Sequence, residues 1–244
     1  MSVLESVLSS GKLRIAVMFT KCPEEGLSEE YYIDPKTGKP AGAVIEYMEL
    51  MAKDLGVKPV YIDMHWSLQA DALRNGEVDI LPKHTNLPSR ALLMDFALAT
   101  INFDVVTVIS KNAPQTMESL NADGMKIVCT KGSSNLEIVK RVYPKASVIE
   151  IMEFTDGIRL LQSGKAQGWV ESPIAKTLFH CAPDLDVIRD ENGKLIKLSA
   201  EFAHPAVARG EEDFLKWIIN WQQYRTATGD LPKIYEKWKK CLVE

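Results

Sequence analysis

The fold is predicted from one continuous stretch of the sequence. It reads Val78-Asp79-Ile80-Leu81-Pro82-Lys83-His84-Thr85-Asn86-Leu87-Pro88-Ser89-Arg90. The apolar residues from Val78 to Leu81 predict a short strand, and the polar residues after them predict a loop with outward-facing groups. Proline suits the first position of a helix, where its missing N–H costs nothing, so a helix is expected to begin near Pro88. Arg90 then offers a planar donor fork to a carboxylate from the first helical turn, although a surface ion pair is the simpler interpretation of this arginine alone.

The residues before this stretch alternate between strand and helix patterns. Apolar residues recur at helical spacing between residues 43 and 55, and Gly56 follows where a helix cap is wanted. The whole first half therefore predicts β-α-β-α-β, in this order: strand Leu13 to Met18, helix 43–55, strand Val57 to Met64, helix Ser67 to Asn75, strand Val78 to Leu81.

The same order returns in the second half of the chain. Its predicted elements are strand Lys126 to Thr130, helix Asn135 to Tyr143, strand Ser147 to Met152, helix Asp156 to Ser163 and strand Gln167 to Glu171. The segments Leu73 to Asp79 and Leu161 to Gln167 have the same sequence pattern. Each contains a helix end, a glycine and a strand start. Repeated βαβ units predict two α/β lobes with mostly parallel sheets, and a ligand site outside the carboxyl ends of the strands, in the cleft between the lobes.

Two crossing segments are expected to join the lobes. Thr100 to Ser110 is rich in β-branched residues and predicts the first crossing, and a second is needed near Ala200 to His204. Residues 1–102 and 204–244 then form lobe 1, and residues 103–203 form lobe 2. The helices after the second crossing are expected to pack on lobe 1, and the two crossings make a natural hinge.

Composition excludes several classes of function. The chain has 244 residues, of which 46% are hydrophobic and 25% charged, with a net charge of -4 and a pI near 5.7. Such a balance gives no basic field for nucleic acid. The longest apolar runs are too short to span a bilayer, and the first residues lack a signal-peptide pattern. We therefore expect a cytosolic protein, or a mature exported form whose leader has been removed.

Four cysteines lie far apart, without the spacing that a structural zinc site needs, so no metal is expected. Cys129 falls within an apolar strand pattern and is interpreted as a small buried hydrophobe. The other three, Cys22, Cys181 and Cys241, allow one disulfide in an exported protein, and the sequence leaves the pairing open.

Several motifs, in their order along the chain, resemble the family 3 extracellular solute-binding proteins, the polar amino-acid receptors of ABC transporters. They are Gly11 to Val17, Asp34 to Lys39, Arg90 with Asp95-Phe96, Lys131 to Ser134, and the tail with Gly229, Ile234 and Trp238. The resemblance covers essentially the whole chain. It implies the two-lobed type II periplasmic binding protein fold (Venus-flytrap), a periplasmic location, a small carboxylate or amino-acid ligand, an ABC transporter permease as partner, no cofactor, and a monomer.

The resemblance also implies ligand-binding residues. Arg90 and Thr85 match residues that hold the ligand α-carboxylate, and the loop with Ser133 and Ser134 matches one that reaches the same group. Ser134 with Glu137 independently predicts a capping box at a helix start. Trp66 matches an aromatic residue that stacks on the ligand, although a core or rim tryptophan is an equally good interpretation.

Other positions depart from the family pattern. Glu171 takes the place of an aspartate that binds the ligand α-ammonium. Lys21 replaces a second aromatic residue, and Lys83 and His84 replace small or apolar neighbours, with His84 interpreted as a hydrogen-bonding residue at the rim. Together with Arg90 these positive side chains favour an acidic ligand, while a solvated surface position is an equally good interpretation of Lys21.

Three functions are compatible with these residues. The first is a receptor that closes over its ligand and delivers it to a permease. The second is an enzyme similar to cyclohexadienyl dehydratases, with Glu171 as a general acid, although the glutamate associated with catalysis there falls where this chain has Pro173 and Ile174. The third is a sensor or accessory protein that keeps the scaffold and has lost the ligand.

Overall fold

The structure is a computed structural model that describes residues 1–19, 30–172, 176–240 and 242. These residues form two compact units. Unit 1 comprises Met1–Phe19, residues 30–102 and Phe202–Lys240, and unit 2 comprises the described residues from Phe103 to Glu201 together with Leu242. The lobe boundaries expected from the sequence, after residues 102 and 203, stay a prediction.

Helices and strands alternate through much of both units. The helices are α1 (Val3–Ser10), α2 (Ala43–Leu55), α3 (Trp66–Arg74), α4 (Met117–Leu120), α5 (Asn135–Val142), α6 (Phe154–Gln162), α7 (Thr177–Cys181), α8 (Glu212–Ala227) and α9 (Asp230–Lys239). The strands are β1 (Lys12–Val17), β2 (Tyr32–Ile33), β3 (Pro40–Ala41), β4 (Lys58–Asp63), β5 (Leu81–Thr85), β6 (Met94–Phe96), β7 (Ile101–Ser110), β8 (Lys126–Thr130), β9 (Ser147–Ile151), β10 (Gly168–Glu171), β11 (Leu185–Val187) and β12 (Ser199–Ala208).

Unit 1 is built on two sets of paired strands. β1 and β4 run parallel, and Ile15 of β1 also bridges Ile80, directly before β5. β5 and β6 both pair antiparallel with β12. The chain therefore brings the middle of β1 and the residues directly before β5 side by side.

Helix packing closes the core of unit 1. The predicted helix over residues 43–55 is confirmed as α2, which buries Tyr47, Met48 and Met51 completely or nearly so. Phe214 and Ile218 of α8 belong to the same apolar cluster, so the expected packing of the C-terminal helices on this unit is confirmed. Burial of these large side chains supplies the hydrophobic free energy that holds α2 and α8 on the strands.

Unit 2 contains the second predicted repeat. β7 pairs antiparallel with β10, β10 pairs parallel with β8, and β8 pairs parallel with β9. With α5 and α6 between the strands, the order β8-α5-β9-α6-β10 confirms the predicted alternation. Parallel β8 and β10 end at the same edge of their sheet, so residues at the ends of these strands become neighbours.

The core of unit 2 is organised around Trp169, which is 0% exposed. Its indole lies edge to face with Phe154, with ring centroids 4.4 Å apart. Gly157 of α6 lies against the same indole, where an added Cβ would come within 2.9 Å of the ring. The missing side chain at Gly157 therefore makes room for the largest side chain of the unit.

The two repeats share the same helix ending. The N–H of Gly76 donates to the carbonyl of Leu73, and the N–H of Gly164 donates to that of Leu161, both over 3.1 Å. Both glycines have left-handed backbone angles, with φ of 70° and 67°. The similar sequence pattern around Gly76 and Gly164 therefore encodes the same local backbone conformation.

Three of the described helices, α1, α4 and α7, were not expected from the sequence. α1 begins after Ser2, whose hydroxyl accepts from the N–H of Glu5 while the Glu5 carboxylate accepts from the N–H of Ser2, which is a capping box. None of the described helices is long and apolar enough to cross a membrane.

Candidate functional site

The stretch after Ile80 is a strand rather than the predicted polar loop. β5 runs from Leu81 to Thr85 and pairs with β12, with His84 opposite His204. Lys83 and His84 are only 8% and 2% exposed, so the expectation of outward-facing groups is wrong. The reason is that β12, which is distant in the sequence, supplies the pairing that local polarity does not indicate.

Arg90 lies in unit 1, five residues after Thr85, the last residue of this strand. It begins a short 3₁₀ turn, Arg90–Leu92, so the expected helix from Pro88 is not formed. The Nη1 of Arg90 donates to the carbonyl of Thr85 over 3.1 Å, and the arginine is half-buried. The structure thus brings Arg90 and Thr85 together, and their roles in binding a carboxylate stay a prediction.

Trp66 and His84 form a stacked pair. Their ring centroids are 4.1 Å apart and their planes differ by 18°. The Nε2 of His84 lies 3.1 Å from the Oε1 of Gln69, which is itself buried in α3. His84 therefore covers one face of the Trp66 indole, an arrangement that the sequence did not indicate.

Burial determines the charge of His84. Its loss of solvation, followed by the positive charges of Arg90 and Lys83, lowers the pKa of His84 well below its usual value. The side chain is neutral at pH 7, and its burial makes a position at the rim impossible. The two expectations for His84, a rim residue and a source of positive charge, are both wrong.

Lys83 is charged but paired. Its Nζ lies 2.6 Å from the Oε1 of Glu30, and the two side chains are 9% and 13% exposed. The pair is neutral as a whole, so Lys83 does not give the net positive charge that the sequence suggested. Lys21, the remaining basic residue in that argument, lies outside the described residues.

Glu171 ends β10 in unit 2 and is 6% exposed. Its Oε2 accepts from the Oγ1 of Thr130 over 2.6 Å. Its Oε1 accepts from the Nδ2 of Asn135 and from the N–H of Ser172, both over 2.9 Å. Thr130 ends the neighbouring strand and Asn135 begins α5, so three adjacent elements converge on one buried carboxylate. Sequence reasoning missed Thr130 and Asn135, although the parallel order of β8 and β10 was a usable signal.

The N-terminal end of helix α5 is capped by the side chain of Ser133 rather than by that of Ser134. The Oγ of Ser133 donates to the carbonyl of Thr130 over 2.6 Å and accepts from the N–H of Asn135 over 3.3 Å. Ser134 is buried and occupies the first flanking position of α5, but its side chain makes no cap hydrogen bond. The predicted capping box with Glu137 is therefore wrong, because Ser134 already has helical backbone angles and the neighbouring Ser133 takes the capping position.

Cys129 is a buried residue of the β8 core, as its pattern predicted. Burial, with smaller contributions from Glu150 and Glu171, raises the pKa of its thiol to about 12. A protonated thiol is a poor nucleophile. Cys181 is exposed at the end of α7, while Cys22 and Cys241 lie outside the described residues, so the disulfide question stays open. In the part of the chain that the structure describes, no group of three or more His, Cys, Asp or Glu side chains is arranged to hold a metal ion.

Comparison with protein families gives one match over most of the chain. The model of the bacterial extracellular solute-binding proteins, family 3, matches residues 28–240. Among curated proteins, the ABC transporter glutamine-binding protein GlnH of Bacillus subtilis is 24% identical over 216 residues, which cover 85% of this chain and 76% of GlnH. The virulence sensor protein BvgS of Bordetella pertussis is 22% identical over 211 residues, or 84% of this chain, and the chain spans only 16% of the length of BvgS.

Solved structures share the fold over nearly the whole chain. The ancestral amino acid-binding protein AncCDT-1, a precursor of cyclohexadienyl dehydratase, superposes with a TM-score of 0.83 at 24% identity and covers 97% of this chain and 99% of its own. The receptor for L-cysteine of Neisseria gonorrhoeae has a TM-score of 0.81 at 26% identity and covers 98% of this chain and 93% of its own. The predicted α/β fold of two-lobed, type II periplasmic binding proteins is thereby confirmed. With its family model matched over residues 28–240, this chain belongs to the bacterial extracellular solute-binding proteins, family 3.

Proposed function

We propose that this protein is an amino-acid receptor that acts outside the cytoplasm as a monomer and delivers its ligand to an ABC transporter permease. Family membership supports a solute-binding role. Two relatives support the ligand class, since GlnH is named for glutamine and the neisserial receptor for L-cysteine. The transporter partner is proposed from GlnH, which is described as part of an ABC transporter.

The observation that carries the proposal is the placement of Arg90 in the turn that follows β5. Its guanidinium is oriented by the carbonyl of Thr85 and lies half-buried. Arginine binds a carboxylate through two parallel N–H···O bonds, and partial burial strengthens such charge-assisted bonds. Arg90 is thus proposed as the group that holds the ligand carboxylate, with Thr85, Ser133 and Ser134 as further partners.

The charges favour a zwitterionic ligand over a diacid. Among the predicted site residues that the structure describes, Arg90 carries a positive charge and Glu171 a negative one. Lys83 is balanced by Glu30, and His84 is neutral. A ligand with one carboxylate and one ammonium complements this set, and Trp66 offers an aromatic surface to its side chain.

A receptor also fits Glu171 better than a dehydratase does. In its contacts with Thr130, Asn135 and Ser172 the carboxylate accepts a hydrogen bond. A general acid must instead donate a proton to the leaving group. We therefore expect no turnover of prephenate or arogenate by the purified protein.

The test is a thermal-shift screen with acidic, neutral and basic amino acids, repeated with Arg90→Ala. A ligand at about 100 times its Kd adds roughly 2.7 kcal/mol of stability, which is readily measured. Arg90→Ala is expected to weaken binding by about 2–5 kcal/mol, because the carboxylate loses its charged partner. Arg90→Lys is the matched control, since it keeps the charge but not the planar fork, and it should retain part of the affinity. Full affinity in Arg90→Ala contradicts the proposal, and a wild type that no amino acid stabilises favours a protein-binding role instead.

A further inference from the structure

Three buried polar atoms without partners lie in the stack of Trp66, His84 and Gln69. The atoms Trp66 Nε1, His84 Nδ1 and Gln69 Nε2 have no hydrogen-bond partner among the described residues. His84 and Gln69 are each 2% exposed, and the rings of Trp66 and His84 lie 4.1 Å apart. A buried polar atom without a partner costs free energy, so an open arrangement with water at all three atoms would avoid a cost that the closed stack carries.

The contact with Gln69 determines where the imidazole of His84 carries its proton. Its Nε2 lies 3.1 Å from the Oε1 of Gln69, an atom that only accepts hydrogen bonds. Nε2 is therefore the donor, and Nδ1 holds the lone pair of the neutral ring. The reversed amide would exchange donor and acceptor and would still leave Nδ1 without a partner. A second proton on the ring therefore finds no acceptor in the closed stack.

The charged groups around His84 also oppose a second proton. On β5 itself the neighbour is Lys83, which is paired with Glu30. Burial, followed by the positive charges of Arg90 and Lys83, lowers the pKa of His84 well below its usual value. The residue opposite on β12 is His204, a second titratable ring, and the α3 side chains in contact with His84 are neutral. A protonated His84 is therefore favoured only outside the stack.

We propose that the stack of His84 on Trp66 is a pH-operated latch in unit 1, which opens when His84 takes up a proton and leaves the face of the Trp66 indole. Opening gives water to the three unpartnered atoms, which lowers its cost. A solvated imidazole has a pKa of about 6.5. Each pH unit below this value therefore raises the open population about tenfold.

The latch would regulate the proposed ligand site. His84 directly precedes Thr85, whose carbonyl orients Arg90. Release of the His84 ring loosens the end of β5 that holds this pair, so the amino acid should bind the closed stack better than the open one. The Kd should then rise by up to about tenfold per pH unit once the latch opens. This consequence rests on the proposed function, whereas the opening itself does not.

The opening is measured first, without an amino acid. The indole N–H signals of ¹⁵N-labelled protein are followed from pH 7.5 to pH 4.5, and Trp66→Phe identifies the signal of Trp66. We expect this signal to move toward the position of a solvated indole in the wild type. It should stay in place in His84→Phe, which keeps an aromatic ring and takes up no proton. The signals of Trp169 and Trp238, whose Nε1 atoms are also buried without a partner, should not move.

Two further variants separate His84 from its neighbours. Gln69→Glu places a carboxylate beside the Nε2 of His84, so the protonated ring gains a partner within the stack. The movement of the Trp66 signal should therefore be displaced to lower pH. The double variant His65→Asn with His204→Asn removes the imidazoles at the start of α3 and opposite His84 on β12. It should leave the movement unchanged.

The effect on the ligand site is measured with calorimetric Kd values for L-glutamine and L-arginine, neither of which titrates between pH 7.5 and pH 4.5. An amino acid that binds should lose affinity over the pH range in which the Trp66 signal moves, and its Kd should stay constant in His84→Phe. A wild type that binds no amino acid contradicts the proposed function, while the indole titration still decides whether the latch exists.

Several outcomes overturn the inference. A Trp66 signal that stays in place down to pH 4.5 shows that acid does not open the stack. Movement in His84→Phe as in the wild type, or its loss in the double histidine variant, assigns the proton to another group. Simultaneous movement of all five indole signals shows global unfolding in place of a local opening. A constant wild-type Kd across the movement of the Trp66 signal shows that the stack does not regulate the site.

Discussion

Each unit buries ionisable side chains near the end of a strand, but the two units stabilise them differently. In unit 1, Lys83 is faced by the opposite charge of Glu30, and His84 loses its charge altogether. In unit 2, Glu171 keeps a carboxylate that accepts from the neutral donors Thr130 and Asn135. A charge paired with an opposite charge interacts more weakly with a ligand, because the two fields oppose each other.

The difference bears on the acidic ligand that the residue types suggested, and that ligand stays a prediction. Lys83 and His84 suggested a basic site when only residue types were considered. Their burial and partners remove most of that positive charge, and the contrast between Arg90 and Glu171 remains. The comparison predicts that removing one partner of the Lys83–Glu30 ion pair affects mainly the stability of the fold. Changing the groups that donate to Glu171 should affect mainly which ligand is bound.

The largest effect is expected when the cancelled pair in unit 1 is broken. Glu30→Gln removes the carboxylate that faces the buried Lys83, and it should lower the free energy of unfolding by about 3–5 kcal/mol in a urea titration. The double variant Glu30→Gln with Lys83→Met should recover most of this loss, because neither member of the pair is then charged. Glu212→Gln breaks the exposed pair with Lys216 and is the control, with an expected change below about 1 kcal/mol. If Glu30→Gln lowers the free energy of unfolding no more than the control does, the ion pair between Glu30 and Lys83 contributes no more to stability than an exposed pair.

The next effect is a pH dependence in unit 1. Because the pKa of His84 is lower in the folded protein than in the unfolded chain, the unfolded state binds an extra proton as the pH falls below about 6.5. Stability should therefore decline on acidification, by up to about 1.4 kcal/mol per pH unit from this residue, down to its folded pKa. His84→Phe keeps an aromatic ring on Trp66 and removes the titration, so its stability should fall less steeply between pH 6.5 and 4.5. His180→Gln, at an exposed position of α7, is the control. Identical slopes for the wild type and His84→Phe would contradict a neutral buried imidazole.

The smallest effect concerns a feature that the units share. Gly76→Ala and Gly164→Ala each place a Cβ on a left-handed backbone with open space around it. Each substitution should cost about 1 kcal/mol from backbone strain alone. Thermal unfolding of both variants should give losses that agree within about 0.5 kcal/mol. Clearly different stability losses in the two variants would show that the repeated sequence pattern does not encode equivalent structure.

Local patterns were sufficient to predict most of the secondary structure. Helical spacing located α2 with its observed bounds, and the glycine after it adopts the expected left-handed cap. Strand β8 was predicted with its observed bounds, because five residues of one pattern lie between polar turns. These elements form from interactions among near neighbours, and such interactions are visible in the sequence.

Contacts between distant residues were not predictable in the same way. The polar residues after Leu81 form a strand because β12 pairs with them, and Lys83 meets a glutamate 53 positions away. Ser134 has a residue type and a sequence position that suit a helix cap. The side chain of Ser133 nevertheless caps α5, because of the path by which the loop enters the helix. The charges and partners of the candidate site residues depend on tertiary packing. Residue types alone therefore suggested which residues form the site, but they did not predict the charge states and ion pairs of those residues.

The tryptophan beside Gly157 has a spectroscopic consequence. Trp169 is the sole tryptophan between Phe103 and Glu201, while the other four lie in the sequence of unit 1. Its burial at 0% exposure means that unfolding of its unit transfers it from an apolar to an aqueous environment. The tryptophan fluorescence therefore contains one emitter for unit 2, and the difference between the wild type and Trp169→Phe isolates it. Denaturation of the two units can be followed separately in one cuvette, without any attached dye.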